Sequence, residues 1–479
     1  MNLAELKAIT DHKWDEDLIP RLVDYVKVPA KSPGFDANWA EHGFLRDVVQ
    51  SAYLWAAAQK IEGMVLEVVE IPGRTPCIFF DVPATGGRGN DKTVLFYGHL
   101  DKQPEMTGWR EDLGPWTPVI ENGKLYGRGA AADGYAIYAA LSILAALDAQ
   151  GVARPRCVGI IETCEESGSP DLPFYLDLLK PRLGDVALVA GLDSGCGNYE
   201  QLWVTTSLRG LVGGTLTVEV LTEGVHSGKA SGIVPSSFRI ARQLMNRIDD
   251  PAPGRVLDPV FHAEIPAERE VQAKLAGQIL GDQVWREFPW VGCNHGPDGH
   301  AHAMPTTTDP VEGILARTWR PALSVTGAAG FPAIDSAGNV LRPKTTFKLS
   351  LRIPPLVDGE RAAAALRRIL SENPPYNAKV SFEAEAAASG WNAPSTAPWL
   401  QRAVDAASRS VWGKDAAWLG EGGTIPFMNM LGEAFPRAQF LITGVLGPQS
   451  NAHGPNEFLH IPYVKQLTAA VAGIVAAVE

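Results

Sequence analysis

The sequence predicts an α/β protein of two domains, a discontinuous one with a mainly parallel sheet and an inserted α+β one. Three observations carry that prediction. Apolar strands alternate with helices up to Arg209, as in a parallel sheet covered on its faces. From Gly210 the strands instead alternate apolar with polar residues, as in an antiparallel sheet open on one face. After Gly390 the apolar pattern resumes. The expected boundaries are therefore 1–209 with 390–479 for the first domain and 210–389 for the insertion. A chain of 479 residues has room for this division.

The elements follow in order. Leu18 to Val28 reads as a short amphipathic helix and Leu45 to Lys60 as a longer one. MVLEVVEI and PCIFFDVP read as strands. TVLFYGHLD, from Thr93 to Asp101, is a dense β run with a polar end. Asp133 to Gly151 is a strong helix, with Gly151 placed to end it. CVGIIETCEESG and DVALVAGLDSG are apolar strands ending in acids. In the insertion, LVGGTLTVEVLTEG, KTTFKLSLRIPP and KVSFEAEAAASGW are strands, and SSFRIARQLMNRIDD and GERAAAALRRILSE are helices. Pro251 to Leu341 is loop-rich and its pattern fixes no elements. The helix PWLQRAVDAASRSVWG, the strand QFLITGVLG and the helix PYVKQLTAAVAGIVAAV return to the first domain.

Composition excludes several classes. With 42 basic and 54 acidic residues the formal charge is −12 and no basic run occurs, which speaks against nucleic acid. Five cysteines without a CxxC speak against a disulfide framework and a thiolate zinc site. The N-terminus has no secretory pattern, and no stretch approaches the ~20 apolar residues of a membrane span. The expectation is a cytoplasmic protein with no membrane partner. No GxSxG, GxGxxG or GxxxxGK[ST] is present, which removes the serine-hydrolase and nucleotide readings.

Polar groups gather at strand ends. His99 and Asp101 end one strand, Glu165 and Glu166 the next, and Asp193 another, while His453 follows the strand Gln439 to Val445. Open α/β sheets bind ligands outside the carboxyl ends of their strands, so two imidazoles and four carboxylates are expected at one rim. Imidazole with carboxylate is a donor set for divalent metals.

FYGHLDKQP, LYGRGAAADGYA, ETCEESGSPDL, GLDSG, VHSG, EGGTIP and NAHGPNE resemble, in order, the motifs of the co-catalytic zinc metallopeptidases. That family includes acetylornithine deacetylase, succinyl-diaminopimelate desuccinylase and carboxypeptidase G. EESGS and EGGTIP are most similar to its carnosinase-like branch, which contains the cytosolic non-specific dipeptidase. The resemblance spans nearly the whole chain. It implies a catalytic domain with an inserted lid and dimerisation domain, two divalent metals per subunit (zinc first, manganese or cobalt also suitable) and a homodimer.

It also implies roles. His99 and Asp193 would bind one metal, and Glu166 and His453 the other. Asp101 would orient His99, and Glu165 would be the general base acting on a bridging water. His226 would stabilise the oxyanion, reaching the partner subunit's site. Arg352 would grip the substrate carboxylate, and Glu421, Gly422, Gly423 and Thr424 would line the pocket. The expected reaction is hydrolysis of an amide bond beside a free carboxylate, with a dipeptide as leading substrate. Hydrolysis of an N-acyl amino acid is the alternative.

One departure stands out. The family places the bridging carboxylate two residues after GRG, and Ala132 occupies that position, with Asp133 next. Three readings remain open: a chain inactivated at Ala132, a one-residue slip that makes Asp133 the bridge, or a non-catalytic metal- or peptide-binding homologue. Of the other candidates, His295, His300 and His302 read as a flexible loop rather than a metal site. The thirteen tryptophans read mainly as core, with Trp290, Trp391 and Trp418 as candidates for an aromatic pocket.

Overall fold

The computed structural model describes residues 1–291 and 303–479. His295, His300, His302 and Cys293 lie outside the described residues. The chain divides into two compact units. The first comprises Met1–Thr206, Ala393–Leu419 and Met430–Glu479, and the second Ser207–Asn392 with Gly420–Asn429.

The first unit is built on a six-stranded sheet. Its chain-order strands are β1 (Val65–Val69), β2 (Cys77–Val82), β3 (Lys92–His99), β4 (Arg156–Glu162) and β5 (Asp185–Gly191), completed by the strand Gln439–Ile442. The spatial order is β1, β2, β4, β3, β5, then Gln439–Ile442. β4, β3, β5 and the last strand run parallel, while β1 and β2 join as an antiparallel edge. Nearly every residue of β3 and β4 is buried, as expected for strands covered on both faces. Gly159 shows how closely they are covered: a Cβ there would lie 2.0 Å from the Phe80 ring.

Helix Ala136–Ala149 is apolar on almost every side and correspondingly buried. It ends as the sequence predicts. Gly151 has φ 62°, Gly151 N donates to Asp148 O and Val152 N to Leu147 O. These two bonds satisfy carbonyls left open at the helix end. The terminal helix Ile461–Ala476 packs on this helix and on Pro398–Trp412. Among the described residues no helix is long and apolar enough to cross a membrane.

The second unit carries a four-stranded antiparallel sheet. Its strands are β6 (Gly210–Glu219), β7 (Ala322–Ala329), β8 (Lys344–Ile353) and β9 (Lys379–Ala384), in the order β7, β8, β6, β9. Val212, Leu216 and Val218 of β6 alternate into one core with Phe347, Leu349, Leu351 and Ile353 of β8. Helices Ser237–Met245 and Gly359–Ser371 complete it through Ile240, Leu244, Ala362 and Leu366.

Two expectations change. The loop-rich stretch 251–341 contains helices Ala267–Leu280 and Pro310–Thr318 and the edge strand β7. β7 (ALSVTGAA) is exposed along most of its length and shifts register between Val325 and Gly327, so it shows no inside–outside alternation. Residues 420–429 cluster with the second unit instead of returning with the rest of the C-terminal part. Arg209 Nε donates to Gly422 O at 3.0 Å, and Arg352 Nη1 to Thr424 Oγ1 at 2.9 Å.

Gly159→Ala is expected to lower the urea midpoint of unfolding, at a cost of about 1–3 kcal/mol from overpacking against Phe80. An unchanged midpoint would show that β2 and β4 can part without penalty.

Candidate metal centre

The centre forms where the parallel strands end. The register sets His99 of β3 beside Glu162 of β4, and Tyr97 beside Gly191 of β5. The loops that follow these strands therefore open at one edge. His99 is 1% exposed, and its Nδ1 lies 3.1 Å from Asp101 O and 3.2 Å from Asp101 Oδ1. Asp101 is fully buried. Its Oδ1 accepts from Glu165 N at 3.1 Å and its Oδ2 from Glu166 N at 3.0 Å. One carboxylate thus orients the imidazole and fixes the short turn Glu165–Ser167.

The other imidazole nitrogen faces acids. His99 Nε2 is 3.4 Å from Asp193 Oδ2 and 3.6 Å from Glu165 Oε2, and it has no hydrogen-bond partner. Asp133 joins the same group. Its Oδ2 accepts from His99 N at 2.9 Å, while its Oδ1 is buried without a partner. One donor atom each from His99, Asp133 and Asp193 lie within 4.8 Å of one another, as do those from His99, Glu165 and Glu166. Glu166 Oε2 is 3.3 Å from Nε2 of the half-exposed His453 and accepts from Gln103 Nε2 at 2.7 Å.

Asp133 reaches this position through an unusual turn. Across Ala130–Gly134 the backbone kinks out of helical geometry: Ala132 takes φ −81°, ψ 66° and Asp133 φ 71°, ψ −5°. Few residues with a side chain adopt that conformation. Gly98 makes room for it: a Cβ there would lie 3.1 Å from Asp133 Oδ2 and 2.9 Å from Ala136 Cβ. Ala132 is buried beside it and donates its amide to Glu457 Oε1 at 3.3 Å.

Electrostatics follow from burial. Burial, and then Asp193, hold Asp133 and Glu165 well above the usual carboxylate range. Burial pushes Glu166 up to about 8. Burial alone would depress His99, but Asp193 and Asp101 outweigh it and hold the imidazole well above its ordinary value. The unpartnered His99 Nε2 and Asp133 Oδ1, set among crowded carboxylates, fit divalent cations as the missing partners.

The remaining predicted residues belong to the second unit. Arg352, Thr424, Gly422 and Glu421 meet around Arg209. Thr424 Oγ1 donates to Arg209 O at 2.7 Å, and Arg209 N to Glu421 O at 3.3 Å. Burial, and then Arg352 and Arg317, hold the Arg209 guanidinium down to about 10, and burial also lowers Arg352. Among the described residues neither arginine has a carboxylate partner. Gly423 has open space where a side chain would be. His226 is exposed. Trp391 and Trp418 are core residues, and Trp290 Nε1 donates to Trp285 O at 2.8 Å.

Sequence reasoning passed over Arg209, Arg128 and Glu457. Arg128 and Glu457 stand inside the quoted GRG and NAHGPNE motifs, and Arg209 marks the domain boundary. What identifies them is being a buried or half-buried charge, which only the fold reveals.

Residues 95–478 match the model of peptidase family M20/M25/M40. The cysteinylglycine-S-conjugate dipeptidase of Corynebacterium striatum is 25% identical over 434 residues, covering 89% of each chain. The human Beta-Ala-His dipeptidase is 26% identical over 371 residues, covering 73% of this chain and 68% of the relative. The crystal structure of human carnosine dipeptidase 1 superposes with a TM-score of 0.74, with 21% identity over 100% of this chain and 99% of that one.

Asp101→Asn would set an amide NH2 against a backbone N–H of the Glu165–Glu166 turn. It is expected to weaken divalent-metal binding ~10–100-fold, the usual effect of losing a ligand's supporting partner. Equilibrium dialysis with zinc checks this, and wild-type affinity would remove Asp101 from the centre.

Proposed function

The chain belongs to peptidase family M20/M25/M40, and from that premise we propose that it is a metal-dependent dipeptidase. The observation that carries the proposal is the convergence of His99, Asp133, Asp193, Glu165 and Glu166 around two unpartnered buried atoms. Its relatives are named as dipeptidases. His99 and Asp193 would hold one cation, and Glu166 and His453 the other. Asp133 would serve both, taking the bridging role that the motif spacing assigns to Ala132. The unpartnered Oδ1 of Asp133 supports this over an inactivated chain. Zinc is the first candidate, with manganese or cobalt as alternatives.

Bound there, the cations would supply Lewis-acid polarisation of the scissile carbonyl and acidification of water. The chain's own residues do the rest. Glu165 takes a proton from the attacking water and delivers it to the leaving amine. Asp101 keeps the His99 ring in its tautomer and fixes the Glu165 backbone. In the second unit, Arg352 and Arg209 lack a carboxylate partner, which suits them to the free carboxylate of a dipeptide or of an N-acyl amino acid. His226, exposed on its short strand, is proposed to donate to the developing oxyanion.

A homodimer is also proposed. Among the described residues β7 ends its sheet, pairs with β8 alone and exposes Val325, so a row of backbone donors and acceptors is open to a second copy. Val325→Asp is expected to shift the protein to monomer in sedimentation velocity, whereas an unchanged dimer would place the interface elsewhere.

The activity test uses zinc- or manganese-loaded protein with Cys-Gly, β-Ala-His, other dipeptides and N-acyl amino acids. Dipeptide hydrolysis is expected, lost on chelation and regained on adding metal. Glu165→Gln and Asp133→Ala should each cut kcat by ~100-fold or more, on the scale of losing a general base or the charge that complements the transition state. Ala132→Asp should bring no gain. A large gain from Ala132→Asp would instead mark the chain as inactivated at that position.

A further inference from the structure

We propose that Arg128 and Glu457 are positioning residues: a buried ion pair that holds the Asp133 turn and the His453 loop in place and thereby sets cation affinity, most of all for the second cation, which relies on both. The inference rests on the two-cation reading above. Both side chains are at most 1% exposed, and Arg128 Nη1 donates to Glu457 Oε2 at 2.6 Å across 329 residues of sequence. Such a buried pair is costly to desolvate, so it is weak evidence of added stability and its further bonds matter more.

Its other bonds indicate the purpose. Glu457 Oε1 accepts from Gly129 N at 3.2 Å and Ala132 N at 3.3 Å, the amides of the turn that delivers Asp133. Arg128 Nη2 donates to Gly454 O at 2.7 Å, the residue after His453. Arg128 Nε donates to Pro104 O at 3.1 Å and Nη2 to Glu105 O at 3.3 Å, just beyond the Asp101–Gln103 segment. Three segments carrying the proposed cation ligands or their supports therefore meet on one ion pair.

The backbone adds an independent reason. Asp133 has φ 71° and His453 φ 64°. Both lie in the left-handed region, where a residue with a Cβ stays only if its surroundings hold it. The Arg128–Glu457 pair bonds to the backbone immediately beside each of them. Without it, either ligand loop could relax to an ordinary conformation and swing its donor away. His99 and Asp193, on and just after strands β3 and β5, do not depend on the pair in this way.

The test compares full-length wild type with Glu457→Gln, Arg128→Lys and the double variant Arg128→Gln/Glu457→Gln. The double variant leaves no charge buried alone, so it guards against a simple failure to fold. Each protein is stripped of metal, checked by thermal unfolding and titrated with Zn2+ or Mn2+ by calorimetry and equilibrium dialysis. Wild type is expected to take two ions. The variants should weaken both ions, because both share Asp133, but the second, which also relies on His453, by more: ~10–100-fold, the effect typical of losing outer-sphere support. Wild-type affinity for both ions in the variants would overturn the proposal. Equal weakening of both ions, or failure of all three variants to fold, would make the pair a general stability element and overturn it as well. A wild type that binds no ion would instead defeat the two-cation reading, and the inference with it.

Discussion

Buried negative charge is the constraint on which the rest of this structure depends. Asp101, Asp133, Glu165, Glu166 and Asp193 crowd around one imidazole at the edge of a sheet. Carboxylates so placed have lost most of their water, and Asp133, Glu165 and Glu166 hold their protons more tightly than usual, so ionising them together calls for positive charge beside them. The supports are correspondingly heavy. Both oxygens of Asp101 accept backbone amides, Gly98 clears space for Asp133, and Arg128 with Glu457 anchors the flanking loops. The six-stranded sheet brings the strand ends to one edge, and its strands β3 and β4 are buried almost throughout.

The second unit shows the opposite imbalance. Arg209 and Arg352 are desolvated without a carboxylate partner among the described residues, and Thr424 and Gly422 occupy them with neutral acceptors. A guanidinium held this way has donors to spare for an anion. The two units thus carry complementary needs, cations for one and an anionic group for the other.

Much of the fold was legible because burial writes itself into residue type. TVLFYGHLD and CVGIIETCEESG are uniformly apolar since both faces of their strands are covered, and their polar ends foretell the rim. KTTFKLSLRIPP alternates since only one face of its sheet is buried. β7 escaped because an exposed edge strand needs no pattern. The placement of 420–429 escaped because it depends on hydrogen bonds from Arg209 and Arg352, two side chains far away in sequence. Arg128 and Glu457 stood in recognised motifs, yet nothing in the letters says that they touch.

By itself the sequence determined the two kinds of sheet, the donor set at the strand ends and the kinship that its seven motifs express. These are properties of composition and local order, and local order survives in a string of letters. Tertiary structure alone decided which carboxylate stands with His99. Motif spacing points to Ala132, but the left-handed turn at Asp133 swings the next residue's carboxylate into the cluster. A backbone dihedral of that kind is chosen by the packing around it, here by Gly98, His99 N and Glu457, and not by the residues of the turn.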